Sequence, residues 1–189
     1  MTYILPRSTV PLPRQLNLTQ FIQTVLVGLT GISGTLVRPK WQVIPPKQPD
    51  IDINWLAFGI LSSTPDANAY LGVDSFNRQT SQRHEDLEIS CSIYGPEALD
   101  VACLIRDGFQ MPPNLEGLRS ANMGFVEVSR ALHIPDLINE RWVNRYEMTI
   151  HLRREIQRVY PILTILSATG QIHTVLGNEE YLLDWETQT

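Results

Sequence analysis

From Trp142 to Arg154 the apolar positions Trp142, Tyr146, Met148, Ile150 and Leu152 alternate with Val143, Arg145, Glu147, Thr149, His151 and Arg153. Period-two patterning over about a dozen residues predicts a strand that buries one face and keeps the other polar, roughly 40 Å long at about 3.3 Å per residue. Residues 84–94 repeat the signature, with Leu87, Ile89, Cys91 and Ile93 alternating with Asp86, Glu88, Ser90 and Ser92. Two long, two-faced strands without a catalytic constellation point to a surface built for assembly instead of chemistry.

The remaining elements follow from spacing and punctuation. Residues 1–16 contain Pro6, Pro11 and Pro13 and predict an extended arm. Asn17 reads as an N-cap with Gln20 in the capping-box position, opening a helix through Leu18, Phe21, Ile22, Val25 and Leu29. Gly28, Gly31 and Gly34 close that helix; a phosphate-cradling loop needs its glycines ahead of the helix. Residues 35–38 and 41–44 read as short extended pieces around Pro39, and residues 51–62, with Trp55, Phe58 and Ile60, as a central strand. Residues 63–82 are polar and turn-rich and predict a long loop, poorly ordered in the isolated subunit. Gly95-Pro96-Glu97 opens a second helix that Gly108 ends, and Pro112-Pro113-Asn114 opens a third, capped by Asn114 and running to about Ala121. Phe125, Val126, Val128 and Leu132 return to strand character. Beyond Tyr160-Pro161, residues 162–167 and 171–175 flank Ala168-Thr169-Gly170 as a hairpin, followed by an acidic, mobile end. The order predicts an α+β fold: a mixed, mostly antiparallel sheet with helices packed on one face, plus an N-terminal arm and a C-terminal β-hairpin. The domain reading is arm 1–16, core 17–160, and hairpin with acidic tail 161–189.

Composition narrows the functional classes. At 189 residues and 43% hydrophobic content the chain supports one sizeable core. Charged residues make up 19% and the net charge is −5, so the composition as a whole indicates neither a disordered acidic chain nor a basic nucleic-acid binder. Cys91 and Cys103 sit among apolar neighbours, as reduced core thiols do, and no CxxC or HxxxH spacing marks a zinc site. The first residues lack the basic, apolar and small-residue regions of a secretory signal, so export by that route is not expected. Residues 15–37 carry no charge, but Gln20, Gln23, Thr24, Thr30 and Ser33 interrupt them, so a membrane span is not expected.

No catalytic residue, metal ligand or cofactor site emerges. The four histidines are isolated in sequence, Asp50 and Asp52 alternate onto the wet side of an extended segment, and no serine lies in a GxSxG elbow. An enzyme would need His84, Glu85, Asp86 and His151 to converge across neighbouring strands in a concave pocket. A DNA-binding adaptor would need salt-dependent affinity for duplex DNA. The stronger candidates are interface residues: Arg38, Trp41, Trp55, Arg83, Arg141, Trp142, Arg145, Arg153 and Arg154. Arginine and tryptophan are enriched in hot spots because a guanidinium forks onto carboxylates and an indole buries much area with one polar handle. The competing reading makes the tryptophans core residues and the arginines solvated ones.

Several ordered segments carry a resemblance. They are residues 34–42 (GTLVRPKWQ), 45–49 (PPKQP), 54–60 (NWLAFGI), 83–88 (RHEDLE) with Tyr94-Gly95-Pro96, 137–142 (LINERW), and the junction from Arg153-Arg154 to Tyr160-Pro161. From about Thr19 to Val175 the chain resembles the phage neck terminator family, related in role to tail terminators. The resemblance implies a virion protein forming a ring, typically a hexamer, at the head-proximal end of a tail. There it would end tube growth and join the tail to head-completion or connector proteins. Implied partners are further copies of itself, the tail tube protein, sheath if present, and the connector, with genomic DNA passing through unbound and no membrane. The implied location is the virion tail or neck, with the host cytoplasm during assembly. The resemblance brings no catalytic residues.

Overall fold

The structure is a computed structural model describing residues 4–10, 15–76, 78–138, 140–163, 167–176 and 179–188. Its elements, in chain order, are β1 (Ser8–Val10), α1 (Gln15–Thr30), β2 (Val37–Pro39), β3 (Trp55–Pro65), β4 (Tyr70–Val73) and β5 (Arg78–Tyr94). Then come α2 (Ala98–Gly108), α3 (Pro112–Ser120), β6 (Met123–Val128), β7 (Leu132–His133), β8 (Asp136–Ile138), β9 (Arg141–Val143) and β10 (Arg145–Leu163). The last two are β11 (Ser167–Leu176) and β12 (Glu179–Gln188).

The two alternating segments become the middle of one sheet. β5, 17 residues long, and β10, 19 residues long, pair antiparallel with Met148 opposite Cys91, Ile150 opposite Ile89 and Leu152 opposite Leu87. Because side chains repeat every second residue, this register places all six on one face, where each is at most 4% exposed. β3 continues that face with Leu56 and Phe58, and β2 joins it parallel through Val37. The strand path is β1-β10-β5-β3-β2, with β4 on β5 and both β6 and β7 on β10. The sheet is therefore mixed and predominantly antiparallel.

All three helices lie over that apolar face. α1 turns Leu18, Ile22 and Leu26 onto it at four-residue spacing, α2 contributes Ala98, Val101, Ala102 and Ile105, and α3 contributes Leu118. Each fully buried aliphatic side chain stabilises the fold by about 1.5–3 kcal/mol relative to exposure. The α+β architecture with helices on one face is thus as the patterning predicts.

Several local expectations are corrected. Residues 63–82 are not a loop: β3 runs on to Pro65 and β4 pairs with β5 from Tyr70 opposite Gln82 to Val73 opposite Gln79. Backbone pairing orders this stretch, and a strand half-exposed on both faces carries no apolar period to read. The strand predicted to begin at Trp142 is broken at Asn144, whose carbonyl accepts from Gly95 N at 3.2 Å. The break flips the phase, so Val143 is buried and Trp142 is 71% exposed. α1 begins at Gln15, which puts Asn17 inside the helix, and α3 has Met111 at its N-cap. Asn114 instead donates from Nδ2 to the Gly108 carbonyl at 2.9 Å. Residues 41–44 form no strand.

At the C-terminal end, residues 168–170 lie within β11, which pairs with β12 as a separate two-stranded sheet. β11 runs on through Leu176, and most of the residues expected to be mobile are strand β12. β10 passes through Pro161 with a register shift between Val159 and Leu163, the irregularity that a residue without an N–H imposes on a ladder.

Candidate assembly interface

The second face of the sheet holds most of the interface candidates. In the parallel register of β2 on β3, Val37 faces the core and Arg38 emerges on the opposite side, shared by Trp55, Ala57 and Gly59. Tyr94, across from Trp55, stacks on it with centroids 4.2 Å apart and planes 5° from parallel. The Arg38 guanidinium lies 5.8 Å from the indole centroid. Arg38 also donates from Nε to the Thr35 carbonyl at 2.8 Å and from Nη1 to the Lys47 carbonyl at 2.7 Å, pinning the segment that follows β2. Burial pushes the Tyr94 hydroxyl above its ordinary pKa, with the nearby Arg145 opposing that shift.

Trp41 closes this arrangement from above. Its backbone sits at φ 58, which is costly for a bulky residue, and its benzene ring lies on the bare backbone of Gly59, where a Cβ would collide with it. The neighbouring Lys40 reaches beneath the loop, donating to Ser90 Oγ at 2.6 Å and approaching Glu147 at 3.7 Å. Trp41 nevertheless remains 70% exposed, and the adjacent Val43 and Ile44 are more exposed still. Two clefts meet at Trp55. One of about 420 Å³ is walled by Arg38, Trp41, Pro45, Pro46 and Tyr94; the other, of about 780 Å³, by Lys47, Asp50, Asp52, Ile53, Ile138 and Arg141. The structure therefore brings Arg38, Trp41, Trp55 and Arg141 around one concave surface. Trp142, next to Arg141 on β9, alternates with Val143, which lines the larger cleft.

The other arginines are engaged within the subunit. Arg145 bonds Asp136 at 2.8 Å and lies 3.3 Å from Glu147. Arg153 bridges Asp66 at 2.6 Å and Asp86 at 2.8 Å, tying β10 across β5 to the end of β3. The hydrogen bonds it donates to Asp66 and then Asp86 raise its pKa further. Arg154, 8% exposed, pairs with Glu85 directly opposite on β5. Arg83, half-buried on β5, stands across from Ile156. A second exposed patch lay outside the sequence reading: Tyr70, Leu71, Val73 and Phe76 at the β4–β5 end of the sheet. Its only sequence signal was a few apolar residues within a polar run.

His84, Glu85, Asp86 and His151 do not converge into one pocket. Glu85 and Asp86 are taken up by arginines, His84 faces Glu155 at 3.8 Å, and His151 stands opposite Glu88. His133 stacks on Tyr146 with centroids 4.7 Å apart. His173 lies in β11, and its side chain is outside the described residues. Among the described residues no group of three or more His, Cys, Asp or Glu is placed to hold a metal ion, and no helix is long and apolar enough to cross a membrane. Both cysteines are free, and desolvation pushes the Cys91 thiol up to about 12.

Comparison with curated proteins returns no match. A family model described as phage neck terminator protein matches residues 16–178, which takes in α1 from its second residue, α2, α3 and the strands from β2 to β11. With that match over most of its length, the chain belongs to the phage neck terminator family, structural proteins of the virion neck that associate with other head and tail proteins.

Proposed function

We propose that this chain forms a closed ring, a hexamer as the family resemblance implies, on the head-proximal end of the tail. The ring stops tube growth and joins the tail to the neck. Its partners are further copies of itself, the tail tube protein, sheath if present, and the head-completion or connector protein. The genome passes through without specific binding. The subunit acts in the virion after assembling in the host cytoplasm, and it uses no cofactor.

The observation that carries this reading is the reach of β5 and β10 beyond their helical cover. Residues 87–91 of β5 alternate buried and half-buried under the helices and Ser92 and Ile93 are buried as well, whereas residues 78–86 are mostly half-exposed. That outlying half is held by its ladders with β10 and β4 and by the Arg153 and Arg154 ion pairs, outside the hydrophobic core. A lone subunit gains little from such an extension, and a ring of heterologous contacts uses it to touch neighbours. Of the nine candidate residues, we assign direct contact to Arg38, Trp41, Trp55, Arg83, Arg141 and Trp142. We assign Arg145, Arg153 and Arg154 to holding the contacting surfaces in shape. We assign partner recognition to the arm 1–16, whose β1 pairs with β10, and to the segment 161–189, whose β11 pairs with β12, each by adding a partner strand at a free edge. A charge of −5 per subunit would make the assembly acidic and let the duplex slide through its channel.

The test is deletion of the gene with imaging of the particles formed. Tails of abnormal length, or heads and tails that fail to join, are expected, with rescue by the chain supplied in trans. Normal tail length together with normal joining would overturn the reading.

A further inference from the structure

β1 is held in the sheet by little besides backbone. Among the described residues it pairs with β10 alone, through Ser8 opposite Val159, Thr9 opposite Arg158 and Val10 opposite Gln157. One further bond runs from the Arg7 N–H to the Val159 carbonyl at 2.7 Å. Ser8 and Thr9 lie outside the hydrophobic core, and ahead of them Ile4 and Leu5 are 56% and 75% exposed.

The slot that β1 occupies nevertheless has to be filled. One edge of β10 is covered in turn by β7 at residues 146–147, by β6 at residues 150–154 and by β1 at residues 157–159. Without β1, residues 157–159 would present bare N–H and C=O groups at a sheet edge, a template for a strand from another chain. The slot accepts Ser8-Thr9-Val10 in antiparallel register, and every copy of the chain carries those three residues. An arm from a neighbouring copy therefore makes the same ladder as the resident arm, so the exchange costs little.

Resting on the ring reading above, we propose that β1 is an exchange strand: it pairs with its own β10 in the free subunit and with the β10 of the next copy in the ring. The reach is sufficient. Fourteen residues precede α1 and extend up to about 48 Å, while a compact domain of this length is roughly 40 Å across. In sequence, Pro11 and Pro13 stand between β1 and α1, where a fixed φ and a missing N–H favour an extended connector over a turn. In a lone subunit the connector keeps the arm at high effective concentration beside its own slot. On a tail end the adjacent copy brings a second slot within reach, and a connector biased toward extension favours that one. Each arm then enters the copy ahead, a head-to-tail linkage that closes into a ring.

The test places cysteines at the directly opposed positions Thr9→Cys and Arg158→Cys, in a Cys103→Ser background that leaves only the buried Cys91. A chain carrying both is oxidised as free subunits and again in purified particles assembled by complementing a deletion. Internally linked monomers are expected in the free protein and a ladder of covalent multimers in the particles. Two chains carrying one substitution each, co-expressed in the same complementation, should give covalent dimers, since a Thr9→Cys to Arg158→Cys link there joins two copies by construction. Ser8→Cys with Val159→Cys replaces the pair if the free chain fails to melt cooperatively or to link internally. Internal linkage alone in the particles overturns the proposal by leaving each arm on its own sheet. Loss of all linkage on assembly overturns it too, by placing the arm off β10. Either result with a ring still imaged at the neck refutes the exchange alone, whereas absence of any ring at the neck refutes the functional reading beneath it.

Discussion

Gly59→Ala separates the fold from the surface. A methyl group on Gly59 meets three atoms of the Trp41 benzene ring at 3.0 Å or less, so the ring must retreat by about 1 Å to regain ordinary contact. The indole is 70% exposed and can move, so the strand need not. With about 30% of roughly 250 Å² at stake, loss of its seat costs at most about 2 kcal/mol. Alanine in a strand recovers about 0.5–1 kcal/mol relative to glycine, and relaxing φ 58 at Trp41 offsets more. The net change should stay near 1 kcal/mol, small beside a total stability of about 5–15 kcal/mol. A displaced hot-spot tryptophan costs about 2 kcal/mol or more at each contact, roughly a thirtyfold loss. Urea unfolding of purified protein and particle titre in a deletion complementation measure the two separately. A near-normal midpoint with a titre as low as that of Trp41→Ala is expected. A loss above about 3 kcal/mol, or normal titre for Gly59→Ala when Trp41→Ala is defective, would show that the ring does not rest on Gly59 as described.

Three further outcomes follow from the packing. Glu85→Ala strands the Arg154 guanidinium, so it should cost about 2–4 kcal/mol, whereas Glu85→Met with Arg154→Met should recover most of that loss. Urea midpoints decide, and single-variant losses under about 0.5 kcal/mol would refute the uncompensated-charge argument. Cys91, buried with its pKa pushed up to about 12, should resist a thiol reagent in the native protein. No more than one of the two cysteines should react before denaturation, and both after it; two rapid native thiols would contradict the core assignment. Hydrogen bonds from the Arg78 backbone, then from its side chain and the Phe76 amide, outweigh desolvation and hold the Asp74 carboxyl below its ordinary value of 3.8. Because the folded value is the lower one, order in the turn between β4 and β5 is complete above the ordinary value and lost as pH falls through the depressed one. The Phe76 and Arg78 amide resonances should report a midpoint below 3.8, and one at or above 3.8 would refute the turn.

Sequence alone determined the elements whose order is written in side-chain period. Leu87, Ile89, Cys91 and Ile93 on β5, and Met148, Ile150 and Leu152 on β10, are buried as their alternation predicts, because period-two burial is a local property of an extended chain. The helices and the one-sided packing were legible for the same reason, as were the segments that carry the family resemblance, whereas Cys103, expected in the core with Cys91, is only half-buried. Tertiary structure decided everything that depends on a partner strand. The order of residues 63–82 comes from pairing with β5, and no apolar pattern records backbone hydrogen bonds. The break at Asn144 turned Trp142 outward, a reversal that a one-residue phase change leaves invisible in composition. Only the register across β2, β3 and β5 gathered Arg38, Trp41 and Trp55 into one surface while committing Arg153 and Arg154 to acids on neighbouring strands. Residue type named the candidates, and long-range pairing sorted those that face outward from those that brace the sheet.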